Sequence, residues 1–385
     1  MNDQQIYINA INNNRKDEDA LYKLALTISY EQSIKLLSGQ TMNSRQLYNE
    51  SIILDPNNPN PYYNLANMLC IDNQESVTLP SGQSMTQRQL YLKVLSIDPN
   101  DCDSLNNLSA CLAPNETIAL PSGETVTSRQ LLLKVIDKQP NYKYSFYLLS
   151  KLLSSDETIT LLNGDTVNSK QLLLKAIDLD PNYSIAYQAL SFKLLKGQSI
   201  ALLSGESMTG KQLCLRAIQV DPRNSSAYFN LALNIELYET VLLPDGEQMR
   251  KKQLYLRAIE LDPTNESAHN NCGNCMTFDE TVYHPTLGII NKQQMLLECI
   301  RLDPNKAEPY SNLAILISKD VKLPNGEKMT IKQLLLKSIE LQPDRPQFYR
   351  NLGYSLVNKE KIILPNGKEM NRRQILQKAN QLKQS

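Results

Sequence analysis

Residues 227–263 read AYFNLALNIELYETVLLPDGEQMRKKQLYLRAIELDP, and the stretch falls into three parts. From Ala227 to about Tyr238, the residues Tyr228, Leu231, Ala232 and Ile235 recur at helical spacing, which predicts an amphipathic helix with one apolar stripe, here called helix A. From Thr240 to Met249, Val241 and Leu243 alternate ahead of Pro244-Asp245-Gly246, and Met249 stands three beyond the glycine. This is the pattern of a small β-hairpin. Proline presets φ, the aspartate takes the next place, and glycine supplies the left-handed residue of a type I turn with a bulge. From about Lys251 to Leu261, Leu254, Leu256, Ala258, Ile259 and Leu261 predict a second helix, helix B. Asp262-Pro263 stops it, because proline disfavours helical backbone at the residue before it.

Gly246 belongs to a lattice of Gly39, Gly82, Gly123, Gly164, Gly205, Gly246, Gly288, Gly326 and Gly367, mostly 41 residues apart. Sequence periods of 20–50 residues mark solenoids. No Pro-, Gly- or Ser-rich linker interrupts the step, so the 385 residues are expected to form a single repeat domain, 1–385. Its organisation would be an N-terminal capping helix over 1–12 and nine repeats of helix A, hairpin and helix B over 13–385. Residues 1–11, MNDQQIYINAI, match MNSRQLYNESI at 42–52, so the chain opens on an orphan helix B that covers the first full repeat. It closes on another helix B, Asn371 to Leu382, with a frayed tail.

Each helix B opens on a glutamine: Gln46, Gln89, Gln130, Gln171, Gln212, Gln253, Gln294, Gln333 and Gln374. Three residues earlier stands Asn or Thr, with Arg250 as the exception. The pattern is a capping box, in which the cap side chain accepts from a first-turn N–H and the glutamine reaches back to the cap. These glutamines are therefore structural and not a catalytic or ligand-binding series.

Lys plus Arg and Asp plus Glu number 40 each, so no net field draws in nucleic acid or an anionic membrane. No apolar run approaches the roughly 18 residues of a membrane span, and MNDQQIYINAINNN has no signal-peptide pattern. Seven scattered cysteines fit reduced thiols. The expectation is a cytoplasmic protein, with secretion by a dedicated system left open.

Helix A carries a small residue at one place in all nine repeats: Ala25, Ala66, Ser109, Ser150, Ser191, Ala232, Gly273, Ala314 and Gly353. A leucine precedes it except at Cys272, and an aromatic often stands three before that leucine, as in Tyr62, Phe146, Tyr187, Tyr228, Tyr310 and Tyr349. Together with helix B endings such as KAIDLDPN and RAIELDPTN, the chain resembles the tetratricopeptide repeat family. It departs from that family in repeat length, which is usually about 34 residues. The surplus is the hairpin, set where the two helices normally meet in a short turn. The resemblance implies an all-α, mainly helical solenoid: a right-handed superhelix whose A helices line a concave groove, a docking surface for extended peptides. The nine hairpins would line one rim.

Between the aromatic and the small residue an asparagine recurs, at Asn64, Asn107, Asn230, Asn271, Asn312 and Asn351. In some members of the family such a ladder holds a peptide backbone, and an amide side chain offers both donor and acceptor for that task. The alternative is that these asparagines are merely common there and hydrated. Tyr22, Tyr63, Asn67, Tyr147, Phe229, Asn274, Arg350 and Tyr354 flank the place and are expected to face the groove. The Lys, Arg and Asn set with which some grooves of the family clamp a terminal carboxylate is incomplete. The leading expectation is thus a scaffold for an internal protein or peptide segment, monomer favoured. A self-associating array that uses the hairpin rim is the alternative.

Both histidines lie in one repeat, HNNCGNCMTFDETVYHPTLGIINKQQ, where His269, Cys272 and Cys275 share helical spacing. Zinc accepts such ligands. His269 and Cys272, however, occupy the aromatic and leucine packing places of the other repeats, so no metal and no cofactor is expected. No phosphate loop, nucleophile elbow, zinc-protease helix or dinucleotide fingerprint occurs, and no enzymatic activity is expected.

Overall fold

The computed structural model describes residues 3–14, 16–29, 32–71, 75–154, 156–357 and 359–384. Contacts gather the chain into two compact blocks, Met1–Asp180 with repeats 1 to 4 and Pro181–Ser385 with repeats 5 to 9. Each block is a solenoid of short helix pairs. Nine hairpins occur among the described residues, each a separate two-stranded antiparallel sheet between the two helices of one repeat.

Repeat 6 shows how the residues produce this unit. Its helix A is Ser225–Asn234, its strands Thr240–Leu242 and Gln248–Arg250, and its helix B Lys251–Leu261. Tyr228, Leu231, Ala232 and Ile235 are buried as the spacing requires. Helix A ends at Asn234 and does not reach Tyr238. Ile235 turns to extended backbone, and the Glu239 carboxylate accepts from the Glu236 N–H at 2.9 Å, fixing residues 236–239 as a turn. Leu237 and Tyr238 are exposed as a result.

In the hairpin, Thr240 faces Arg250 and Val241 faces Met249. Gly246 donates to the Leu243 carbonyl at 3.0 Å, and the Leu243 N–H donates to the Glu247 carbonyl at 2.8 Å. With φ at +90°, Gly246 occupies the left-handed region that the turn demands and that a side chain resists. Val241, Leu243 and Met249 are buried, so a sheet too small to stand alone is held by its apolar side.

Helix B begins with the predicted capping box. Thr127, for example, donates its N–H to Gln130 Oε1 at 2.8 Å, while its hydroxyl accepts from the Gln130 N–H at 3.3 Å. At Arg250 only the glutamine half exists, with Arg250 N–H donating to Gln253 Oε1 at 2.8 Å, because a guanidinium has nothing with which to accept. Helix B ends where the sequence places Asp-Pro. The aspartate then accepts from the N–H two residues on, as Asp262 does from Thr264 at 3.0 Å. The aromatic of helix A closes the same turn, Tyr310 donating to the Pro304 carbonyl at 2.9 Å and Tyr349 to that of Pro343 at 3.0 Å.

The conserved-size position of helix A lies where helix B crosses it. At Gly353 a Cβ would stand 2.6 Å from Leu376, so nothing larger fits without displacement. The N-terminal helix, Asp3–Asn13, buries Ile8 and Ile11 and donates from Gln4 to the Thr27 carbonyl at 2.9 Å. Met1 and Asn2, the first residues of the predicted capping helix, and Ser385 in the tail lie outside the described residues. Within the second block, successive A helices touch: repeat 5 with 6, 7 with 8, and 8 with 9. Successive B helices approach less closely.

Candidate functional site

The six predicted asparagines lie on the flank of helix A that meets the preceding repeat, and their amides bridge to it. Asn64 donates to the Tyr22 hydroxyl at 3.3 Å, and Asn107 to the Tyr63 hydroxyl at 3.2 Å and Asn67 Oδ1 at 3.3 Å. Asn230 donates to the Gln188 carbonyl at 3.1 Å and the Ser191 hydroxyl at 3.4 Å. Asn312 reaches Asn270 Oδ1 at 2.9 Å, Asn351 reaches the Ser311 hydroxyl at 2.9 Å, and Asn271 pairs with Tyr255. A ladder is present, and its rungs join repeat to repeat. Asn230 is buried, and the other five are half-buried.

The predicted aromatics divide between packing and surface. Tyr22, Tyr63 and Phe229 are half-buried and lean on a tyrosine of their own helix B, with ring centroids 6.1 Å from Tyr48, 6.0 Å from Tyr91 and 5.8 Å from Tyr255. Burial pushes the hydroxyls of those three helix B tyrosines up, so they stay neutral donors, and the Tyr91 hydroxyl donates to Asn67 Oδ1 at 2.6 Å. Tyr147 is half-buried beneath the Lys151 ammonium, 5.7 Å from the ring centroid. Arg350 is half-buried, whereas Asn274 and Tyr354 are exposed.

Sequence reading named only Tyr354 of a row of apolar side chains one residue beyond the small position. Leu26, Phe192, Leu233, Ile315 and Tyr354 are 52, 67, 37, 65 and 65 % exposed, enough to present large hydrophobic groups to solvent on the A helices. Four of them, Phe192, Leu233, Ile315 and Tyr354, lie in the second block. The signal was available, because Asn67, Asn274 and Tyr354 were singled out at that same lattice place.

A second missed feature is an ionic strap between repeats. The second residue of helix B reaches the acid that ends the following repeat's helix A loop: Arg88 to Glu116 at 2.5 Å and Lys211 to Glu239 at 2.5 Å, and likewise Arg129 to Glu157, Lys252 to Glu280 and Lys332 to Glu360. Each acid also accepts from a backbone N–H of its own loop, Glu116 from Ala113 at 2.7 Å and Glu157 from Ser154 at 3.0 Å. The cation, then the backbone donor, hold the Glu157 carboxyl down at about 2, and the other four acids are lowered the same way. The recurring Glu-Thr before the first strand, as in Glu116-Thr117 and Glu280-Thr281, was its trace in the sequence.

In repeat 7 the His269 ring meets His284, Nε2 to Nε2 at 2.8 Å. Burial pushes the Cys272 thiol up to about 12 and raises that of Cys275, which leaves both protonated. Among the described residues, no three His, Cys, Asp or Glu side chains gather as a metal site would need.

The tetratricopeptide repeat family profile matches residues 47–89, from helix B of repeat 1 to the start of helix B of repeat 2. No curated protein matches. Among solved structures, the chain is similar to YrrB, described as a TPR protein with an unusual peptide-binding site, at 15% identity over 68% of this chain and 95% of that one, with a TM-score of 0.23. It is similar to yeast Tom70 at 15% identity over 95% of this chain and 64% of Tom70, with a TM-score of 0.35. Similarity to MamA covers 54% of this chain and 94% of that one at 17% identity, with a TM-score of 0.29. The chain thus resembles the tetratricopeptide repeat family at residues 47–89, and each of its repeats is a helix pair with a β-hairpin set between helix A and helix B.

Proposed function

We propose that the chain is a non-catalytic protein-interaction scaffold that holds an extended peptide segment along its A-helix face. The observation that carries this reading is the exposed row of Phe192, Leu233, Ile315 and Tyr354, one apolar side chain at the same place on four of the five A helices in the second block. Exposed large hydrophobes in register mark an interaction surface, and aromatics among them are common anchors. Asn274 fills the place in repeat 7, and the half-buried Asn271, Asn312, Asn351 and Arg350 supply polar edges. In the first block Tyr63, Asn64, Asn67, Asn107 and Tyr147 form the corresponding, more polar stretch.

The experiment is selection of ligands from a random 12-residue peptide library on the intact protein, followed by affinity measurement on a Leu233→Ser, Ile315→Ser variant. Circular dichroism checks that the variant keeps the fold, and affinity is expected to fall about tenfold or more, the effect of losing about 1.4 kcal/mol. Equal affinity for the variant, with unchanged circular dichroism, removes the groove reading.

A second reading has its own observation. The hairpins of the second block expose Leu203, Leu242, Tyr283 and Ile363, at 58, 60, 72 and 64 %, a rim on which copies of the chain could associate. Sedimentation across a dilution series separates the two, because a monomer at every concentration leaves only the scaffold.

A further inference from the structure

The chain's only two histidines face each other inside repeat 7, and each replaces an apolar residue of the lattice. His269 stands where Tyr228 and Tyr310 stand in the neighbouring repeats. His284 stands where the buried hairpin leucines Leu243 and Leu323 stand. Neither imidazole has any exposed surface.

Their four ring nitrogens are all engaged, and the partners dictate where the protons sit. His269 Nδ1 lies 2.7 Å from the Asn265 carbonyl, which can only accept, so that nitrogen carries a hydrogen and Nε2 carries a lone pair. His284 Nδ1 lies 3.2 Å from the Thr286 N–H and 3.3 Å from the Leu287 N–H, which can only donate, so that nitrogen carries the lone pair and Nε2 the hydrogen. The 2.8 Å contact is then His284 Nε2–H donating to His269 Nε2. The chain of bonds runs one way, from loop amides through two neutral rings to a helix carbonyl. An added proton has only two lone pairs to take: the one on His269 Nε2 already faces a donor, and the one on His284 Nδ1 faces two N–H donors beside the Thr286 hydroxyl at 3.2 Å.

We propose that the His269–His284 pair is a proton-operated latch: neutral, it clamps the tip of the repeat 7 hairpin to helix A, and protonation releases that tip. The hairpin is built for such dependence. Its strands, Thr281–His284 and Gly288–Asn291, are longer than those of the other repeats, and its tip, Pro285 to Leu287, hydrogen-bonds to the His284 ring in place of the Leu–Gly backbone turn used in repeat 6. It also displays Tyr283, Leu287 and Ile289, at 72, 48 and 74 % exposure, so release moves an apolar surface.

The surrounding charges are few. Glu298 from helix B of the same repeat and Asp262 from the end of the preceding helix B favour a proton on the pair, while Arg301, which holds Glu298 by two bonds of 2.8 and 2.7 Å, opposes it. Burial is the largest effect on both rings and lowers them below the usual 6.5. The opened state binds protons at the ordinary value, so the closed hairpin loses stability as pH falls below 6.5. The loss is up to about tenfold in the opening equilibrium per histidine per pH unit, until the closed pair itself takes a proton.

Hydrogen exchange on the full chain at pH 7.5 and 5.5, corrected for intrinsic rates, tests this independently of any ligand in the groove. The expected result is a loss of protection of about tenfold or more in residues 281–291, with the repeat 6 hairpin unchanged. A variant with His269→Tyr and His284→Leu, the residues of the other repeats, is expected to keep its protection at both pH values. Equal behaviour of the two hairpins in the wild type, or an equal acid response in the variant, overturns the latch. Should the variant not fold, imidazole NMR of the wild type decides: rings that titrate at the ordinary 6.5 while the hairpin stays protected also overturn it.

Discussion

An amide buried between two helices is a different object from the same amide on a surface, and Asn230 and Asn274 show the contrast. Asn230 is 3 % exposed and donates to a carbonyl and a hydroxyl of the preceding repeat, whereas Asn274 is exposed at the place where Leu233 and Ile315 stand in its neighbours. Asn230→Ala leaves the Gln188 carbonyl and Ser191 hydroxyl without that partner, and a destabilisation of about 1–3 kcal/mol is expected by urea unfolding. Asn274→Ala is expected to change stability by less than about 0.5 kcal/mol. Gly246→Ala belongs to the same scale. Its φ of +90° lies outside the comfortable range of an alanine, so a cost of about 1–2 kcal/mol is expected although no atom lies within 4 Å of the added Cβ.

At the level of elements, the residues that turn or cap the chain were readable in advance because each acts on backbone within a few positions of itself. Thr127 and Gln130, the Pro-Asp-Gly turn and Asp262-Pro263 all did what their neighbours in sequence required. The end of helix A did not follow, because it depends on Glu239 reaching back to Glu236, and the exposed row of Phe192, Leu233 and Ile315 did not, because apolar periodicity alone does not say which edge of a stripe another helix covers. The same logic yields a prediction at the defective cap of repeat 6. Arg250→Thr restores the missing acceptor to the helix of repeat 6, and a gain of up to about 1 kcal/mol is expected in thermal unfolding, with Thr127→Ala losing a similar amount elsewhere.

Across the molecule, the straps make cohesion between repeats depend on acid. A carboxylate whose proton affinity is lowered by folding contributes stability above its unfolded value, here 4.5, and loses it as pH falls toward the folded value, about 2 for Glu157. Urea midpoints are therefore expected to be level from pH 7 to about 5 for the strap contribution and to drop between 4.5 and 2. Glu157→Gln is expected to flatten part of that drop, and an unchanged profile in this variant dismisses the strap as a stabilising contact. The straps stayed hidden in the sequence because their two ends are 28 residues apart and belong to different repeats. That constant separation has a consequence for how such a chain can change its length. Excision of residues 212–252, one step of the lattice from Gly205 to Gly246, leaves Lys211 the same distance from Glu280 that it now keeps from Glu239. Loss of that one whole copy by recombination thus delivers Lys211 to a fresh acid, and the array can shorten at this point without leaving a strap unpaired at the new joint.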